Sequence, residues 1–261
     1  MTDRKPGLFI ALLNIHGLLR GHSLELGRDA DTGGQTKYVL ELARALGDHP
    51  KVGSVEIWTR QIDDPSLAEE YGQHREQVTP TVDIVRFRCG PRRYIRKESL
   101  WPHLDSFADE IFRHLRRVRR APDLIHAHYA DAGFVGSRLA SLLGAPLAFT
   151  GHSLGRVKRQ RLLDQGMAQA EIEQRYHMGR RIDAEERALD NAAFVVASTR
   201  QEVAEQYQIY HHYEPNRMLV IPPGVDLSRF SPPPRFFDPP AAGALAPFLR
   251  NPSRPMILAI S

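Results

Sequence analysis

The sequence predicts an α/β fold, a Rossmann-like, doubly wound and mostly parallel sheet, and three features carry that prediction. Near-continuous apolar runs of strand length, such as Leu8 to Asn14 (LFIALLN), lack the polar alternation of a one-sided strand and mark parallel strands covered on both faces. Helical stretches alternate with these runs at the spacing of right-handed crossovers. Finally, 261 residues with 42% hydrophobic and 25% charged content suffice for one large α/β domain or two small ones and exclude disorder as the main state.

The first strand leads into a long loop, His16 to Thr32, and then into a helix over 34–46. Val39, Leu42, Ala43 and Leu46 recur at the i, i+3, i+4, i+7 spacing that anchors this helix to a core. At its start, Asp31 or Thr32 is expected to cap, while Gly33 and Gly34 leave the first backbone amides open to an anion. Strands follow at Ser54 to Thr59 and Val82 to Arg88, and a helix runs from Leu100 to Val118 with Pro102 near its first turn. Leu124 to His128, Phe134 to Leu143 and Leu147 to Thr150 repeat strand, helix, strand. A charged helix from about Glu171 to Leu189 precedes strands at Phe194 to Ala197 and Met218 to Ile221, with a helical turn at Gln201 to Gln206 between them.

Ten of the nineteen prolines lie in the last forty residues, so regular structure should give way to a linker there. The expected division is a domain over 1–224, a Pro-rich linker over 225–255 and, at Met256 to Ile260, the first strand of a second domain that the sequence does not continue. Neither a secretory h-region nor a membrane span is visible, and Cys89 stands alone, which fits a reducing, cytoplasmic compartment. The 35 basic residues nearly balance 31 acidic ones, so the net charge of +4 gives little support to a nucleic-acid partner. Only five of the basic residues are Lys, which makes each Lys inside a motif worth weighing.

In open α/β sheets ligands bind beyond the carboxyl ends of the strands. The loops there hold GPRRYIRKE, HAHYADAG, TGHSLGRVK and TRQE, rich in Arg, Lys, His and Gly. Neither a G-x-G-x-x-G after the first strand nor a phosphate-binding G-x-x-x-x-G-K-[ST] is present, which argues against dinucleotide binding and nucleotide hydrolysis. No pair of histidines has convincing metal-ligand spacing.

The ordered segments HGLLRGHSLELGRDADTGGQTKYVLELARAL, RKESLWPHL, HAHYADAG, TGHSLGRVK, RRIDAEE, ASTRQE and IPPGVD resemble the sucrose-phosphate synthases, retaining glucosyltransferases of the two-domain GT-B type. The resemblance covers the chain from Leu8 onward and matches the amino-terminal, acceptor-binding half of such an enzyme. It implies transfer of glucose from UDP-glucose to fructose 6-phosphate, giving sucrose 6-phosphate, with no cofactor and no obligatory metal. It implies that Gly33, Gly34 and Gln35 line the seam between domains, that His152 sits beside the transferred glucose as the catalytic histidine, and that Tyr129 lies on the acceptor side. Lys97, Lys158 and one or both of Arg180 and Arg181 would hold the acceptor phosphate. A half-enzyme of this kind should turn over nothing alone.

Each assignment has a plainer counterpart. Lys97 and Lys158 could be solvated loop cations, and Arg181 could form an i,i+4 ion pair with Glu185. His126 suits packing or hydrogen bonding. A sucrose synthase-like enzyme, another sugar-phosphate glycosyltransferase and a non-catalytic sugar-phosphate-binding domain are the alternative functions.

Overall fold

The computed structural model describes residues 6–227, 240–251 and 254. Strand β1, Leu8–Leu13, is buried from its second residue on. Its side chains point alternately to two apolar layers. Phe9, Ala11 and Leu13 join Trp58, Phe107 and Val135 on one side; Ile10 and Leu12 join Val39, Leu40 and Ala43 on the other. Burying a Leu or Phe on either side contributes roughly 1.5–3 kcal/mol, so an apolar residue at every position of this strand is stabilising.

The alternation of elements continues as α1 (Gly34–Asp48), β2 (Val52–Arg60), β3 (Arg75–Thr79), β4 (Val82–Phe87) and α2 (Leu104–Val118). Then come β5 (Leu124–His128), α3 (Ala130–Leu143), β6 (Leu147–Thr150), α4 (Gly155–Asp164), α5 (Gln169–Tyr176), α6 (Met178–Asn191), β7 (Phe194–Ala197) and β8 (Met218–Val220). The eight strands form one sheet in the order β3-β4-β2-β1-β5-β6-β7-β8. All neighbours are parallel except β3 and β4. The order turns back on either side of β1, so β1 and β5 flank the switch point where such sheets place ligands.

Four local features differ from the sequence reading. The edge strand β3, REQVT, has no apolar alternation and escapes periodicity analysis; ion pairs secure it instead, Arg75 with Glu56 (2.6 Å) and Asp83 (3.0 Å), and Glu76 with the fully buried Arg86. The helix expected from Leu100 begins as a 3-10 turn at Trp101–His103, preceded by another at Lys97–Ser99, and becomes α-helical at Leu104. The single helix expected over 171–189 is two, because His177 adopts φ 47° between α5 and α6. The loop expected at 150–158 is short, since α4 begins at Gly155.

The chain divides into two units, 1–223 and 224–261. Within the second, α7 spans Pro240–Leu245; the strand expected at 256–260 lies outside the described residues. No helix among the described residues is long and apolar enough to cross a membrane.

Candidate active site

At the carboxyl edge of β1 the chain turns into α1 through Gly33, the N-cap residue, with no side chain capping it. The expectation that Asp31 or Thr32 caps is not met, because both are committed elsewhere. The Thr32 hydroxyl accepts the Leu18 amide (2.9 Å) and donates to Asp29 (3.0 Å). The Asp31 carboxylate accepts the Lys97 amide (2.9 Å) and pairs with the Lys97 ammonium. The first amides of α1 therefore have no side-chain oxygen on them. A Cβ built on Gly33 or Gly34 meets nothing within 4 Å, and neither residue has a positive φ. Nothing among the described residues requires glycine here. Gly34→Ala should accordingly leave stability unchanged or raise it by up to about 1 kcal/mol in a urea titration. The same variant should weaken binding of any ligand that approaches the backbone here, because among the described residues nothing else would meet the new methyl group.

Gln35, one residue on, donates to Asn14 Oδ1 (2.8 Å) and reaches the His128 carbonyl (3.4 Å), tying the start of α1 to the ends of β1 and β5. His128 Nδ1 lies 3.0 Å from His152 Nε2, so Gln35 and His152 meet at one edge of the sheet. The His126 and His128 rings lie 4.1 Å apart, as expected from their period-2 spacing, and His126 Nε2 bonds the Thr150 hydroxyl at 2.8 Å. Tyr38 sets its edge against both His128 (5.9 Å) and His152 (5.2 Å). Burial disfavours the imidazolium, so the His126 pKa falls to about 4, that of His152 to about 3, and that of His128 well below the ordinary value. All three rings are neutral at pH 7. His152 also holds φ 57°, a left-handed conformation that costs a non-glycine residue about 1 kcal/mol or more.

Lys97, Tyr129, Lys158 and Arg181 line a single pocket, together with Glu98 and Trp101. Tyr129 links β5 to α3 with φ 80° and ψ 171°, a region otherwise left to glycine, at a cost of order 1–3 kcal/mol. Bonds on both sides hold it there: its amide donates to the Thr150 carbonyl and its carbonyl accepts the Gly133 amide, each at 2.8 Å. Its ring lies 4.6 Å under the Arg181 guanidinium and 4.7 Å from His16, which bonds Asp131 at 2.8 Å.

The Glu185 carboxylate organises the far wall. Fully buried, it accepts the Gly155 amide at 2.9 Å, Arg181 Nε at 3.0 Å and the Tyr210 hydroxyl at 2.5 Å. A carboxylate at the start of α4 fits the helix dipole and fixes Lys158, one turn along. Gly155 is obligatory, since a Cβ would come within 2.8 Å of Glu185 Oε2. The i,i+4 pair anticipated between Arg181 and Glu185 thus exists, and the same Arg181 also faces the pocket. Arg180 does not: it is exposed and is not among the pocket residues.

Asp31 compensates Lys97 and Glu185 compensates Arg181, so two of the three gathered cations need no ligand to hold them in place. Lys158 has no carboxylate partner among the described residues and lies 4.1 Å over the Tyr176 ring. Its pKa is lowered, first by burial and then by the charges of Arg181 and Lys97.

Several participants escaped the sequence reading. Arg60, buried at the end of β2, donates to the carbonyls of Cys89 (2.8 Å) and Pro91 and so shapes the loop that carries Lys97. The Tyr94 hydroxyl donates to Asp29 (2.9 Å) and Asp31 (3.2 Å). Tyr38 carried a usable signal, standing three residues after Gln35 on the same helix face. Arg60 and Tyr94 carried none, because their partners are tens of residues away.

The profile of glycosyltransferase family 4 matches residues 32–229. The chain is 39% identical to probable sucrose-phosphate synthase 1 of Oryza sativa subsp. indica over 321 residues, covering 99% of the chain and 30% of that protein. It is 37% identical to sucrose-phosphate synthase of Zea mays at the same coverages. The chain therefore spans about 30% of the length of these curated relatives. Sucrose-phosphate synthase from Thermosynechococcus elongatus is similar in structure, with a TM-score of 0.68 at 27% identity over 92% of this chain and 52% of that one. The parallel sheet with helices on both faces is the Rossmann-like arrangement of the amino-terminal half of a GT-B enzyme, as the resemblance implied. With the family profile spanning most of its length, the chain belongs to glycosyltransferase family 4.

Proposed function

We propose that this chain is the acceptor-binding part of a retaining glucosyltransferase that moves glucose from UDP-glucose to fructose 6-phosphate, yielding sucrose 6-phosphate and UDP in the cytoplasm. The observation that supports this most is the shared pocket of Lys97, Lys158 and Arg181 beside Tyr129. Charge-assisted hydrogen bonds from such cations suit a phosphate and have no counterpart need in free fructose.

In this reading Lys158 and Arg181 grip the acceptor phosphate, with Lys97 held to the same wall by Asp31. The open amides at Gly33 and Gly34, with Gln35, meet sugar or diphosphate oxygens at the start of α1, where the dipole favours negative charge. His152 borders the transferred glucose as a neutral hydrogen-bonding group, since an imidazole with a pKa near 3 is no proton donor at pH 7. Catalysis is positional and electrostatic, with no covalent nucleophile, and needs a second, nucleotide-gripping domain beyond the linker. The domain division is thus 1–224 for the acceptor, a linker over 225–255, and the start of the donor domain from 256.

Incubating the full-length protein with UDP-glucose and either acceptor tests the proposal. Sucrose 6-phosphate should form from fructose 6-phosphate, with fructose used at least tenfold less efficiently. Equal use of both acceptors would instead favour a sucrose synthase-like activity.

A further inference from the structure

We propose that His128 is a positioning residue that fixes the tautomer of His152: His128 donates from Nδ1 to Nε2 of His152, so that His152 keeps its own proton on Nδ1 and offers it to a ligand oxygen in the cleft. The two ring nitrogens face each other at 3.0 Å. Both rings are kept neutral by burial, so one proton lies between them and each ring carries one more nitrogen whose state follows from it.

The far nitrogen of the buried ring selects between the two arrangements. His128 Nε2 is buried with no hydrogen-bond partner among the described residues. Were the shared proton on His152, His128 would have to carry its own on Nε2, as an orphaned N–H, and orphaned buried donors are rarer than unpaired acceptors. With the proton on His128 Nδ1, Nε2 is only a bare lone pair on a ring whose centroid lies 4.1 Å from that of His126. His152 then has Nδ1–H left over, and no partner for that nitrogen exists among the described residues. The Tyr38 edge at 5.2 Å and the left-handed backbone at φ 57° fix the plane in which that proton points. The tautomer is a property of the free protein; its use toward a glucosyl or diphosphate oxygen rests on the function proposed above.

Nitrogen-15 spectroscopy of imidazole-labelled full-length protein at pH 7 reads the tautomer directly, with His152→Gln and His128→Asn identifying the resonances. His152 is expected to show a protonated Nδ1 and a bare Nε2, and His128 a protonated Nδ1. His128→Asn, whose amide can still donate, should preserve the His152 pattern. His128→Leu should let both tautomers of His152 populate and lower kcat roughly tenfold or more with the acceptor KM unchanged. A wild-type spectrum with His152 protonated on Nε2 overturns the proposal, as does a Leu variant with an unchanged pattern, and the wild-type spectrum decides even if the Leu variant does not fold. The predicted tautomer in a protein that transfers no glucose would support the role of His128 while contradicting the proposed function.

Discussion

Lys158→Ala should weaken binding of fructose 6-phosphate by about 1.5 to 3 kcal/mol, roughly ten- to hundredfold, and leave fructose binding nearly unchanged. The size comes from losing a hydrogen bond to a charged group in a partly buried pocket. Its cleanness comes from the neighbours. Lys97→Ala would leave the buried Asp31 carboxylate without its counter-ion, and Arg181→Ala would do the same to Glu185, so either would disturb folding as well as binding. Lys158 leaves no carboxylate unpaired. Its pKa lies below that of an ordinary lysine, so affinity for the phosphate should fall with rising pH earlier than a solvated lysine would allow. Calorimetry of both ligands on wild type and variant checks the prediction, and equal losses for fructose and fructose 6-phosphate would remove Lys158 from the phosphate site.

Mild acid should destabilise the fold by several kcal/mol between pH 6.5 and pH 4.5, before most carboxylates titrate. His126, His128 and His152 are neutral when folded but protonate near pH 6.5 when unfolded, so the unfolded state binds more protons in this window. Their contribution is fully present above pH 6.5 and is lost as pH falls toward the depressed folded values, at about 1.4 kcal/mol per unit for each ring. Glu185 acts in the opposite sense, since burial raises its pKa and folded-state protonation offsets part of the loss. Urea unfolding at a series of pH values measures the slope. His126→Gln should reduce it by about a third, whereas a flat profile would mean that these rings are not buried as described.

The parts of this molecule that were legible in the sequence are those fixed by local pattern. β1, β6 and β7 announce themselves as apolar runs, β2, β4, β5 and β8 as short stretches rich in β-branched, aromatic or aliphatic residues, and α1 by its 3.6-residue stripe. Gly33, Gly34, Gln35 and His152 stood out as glycine or polar residues in post-strand loops. What could not be read depends on partners remote in sequence. The pairing of Asp31 with Lys97 spans 66 residues, and it turned a presumed cap into the counter-ion of a presumed phosphate ligand. Glu185 was visible only as the i,i+4 partner of Arg181, whereas its bonds to Gly155 and Tyr210 decide where α4 starts and hence where Lys158 stands. Arg180 and Arg181 are indistinguishable as letters; the burial of α6 separates them. The strained backbone at Tyr129 has no sequence signal, because nothing in HAHYADAG marks a tyrosine for a conformation reserved to glycine.

In the function proposed above, the pocket between Lys97, Lys158 and Arg181 holds the phosphate of a sugar-phosphate acceptor. Calorimetric titration of the wild-type, full-length protein with fructose 6-phosphate and separately with fructose, each at low and high salt, tests it most directly. Fructose 6-phosphate should bind at least tenfold more tightly, a difference of about 1.4 kcal/mol or more, with an advantage that shrinks as salt screens the partly exposed cations. Equal affinity for the two sugars, unchanged by salt, would contradict it.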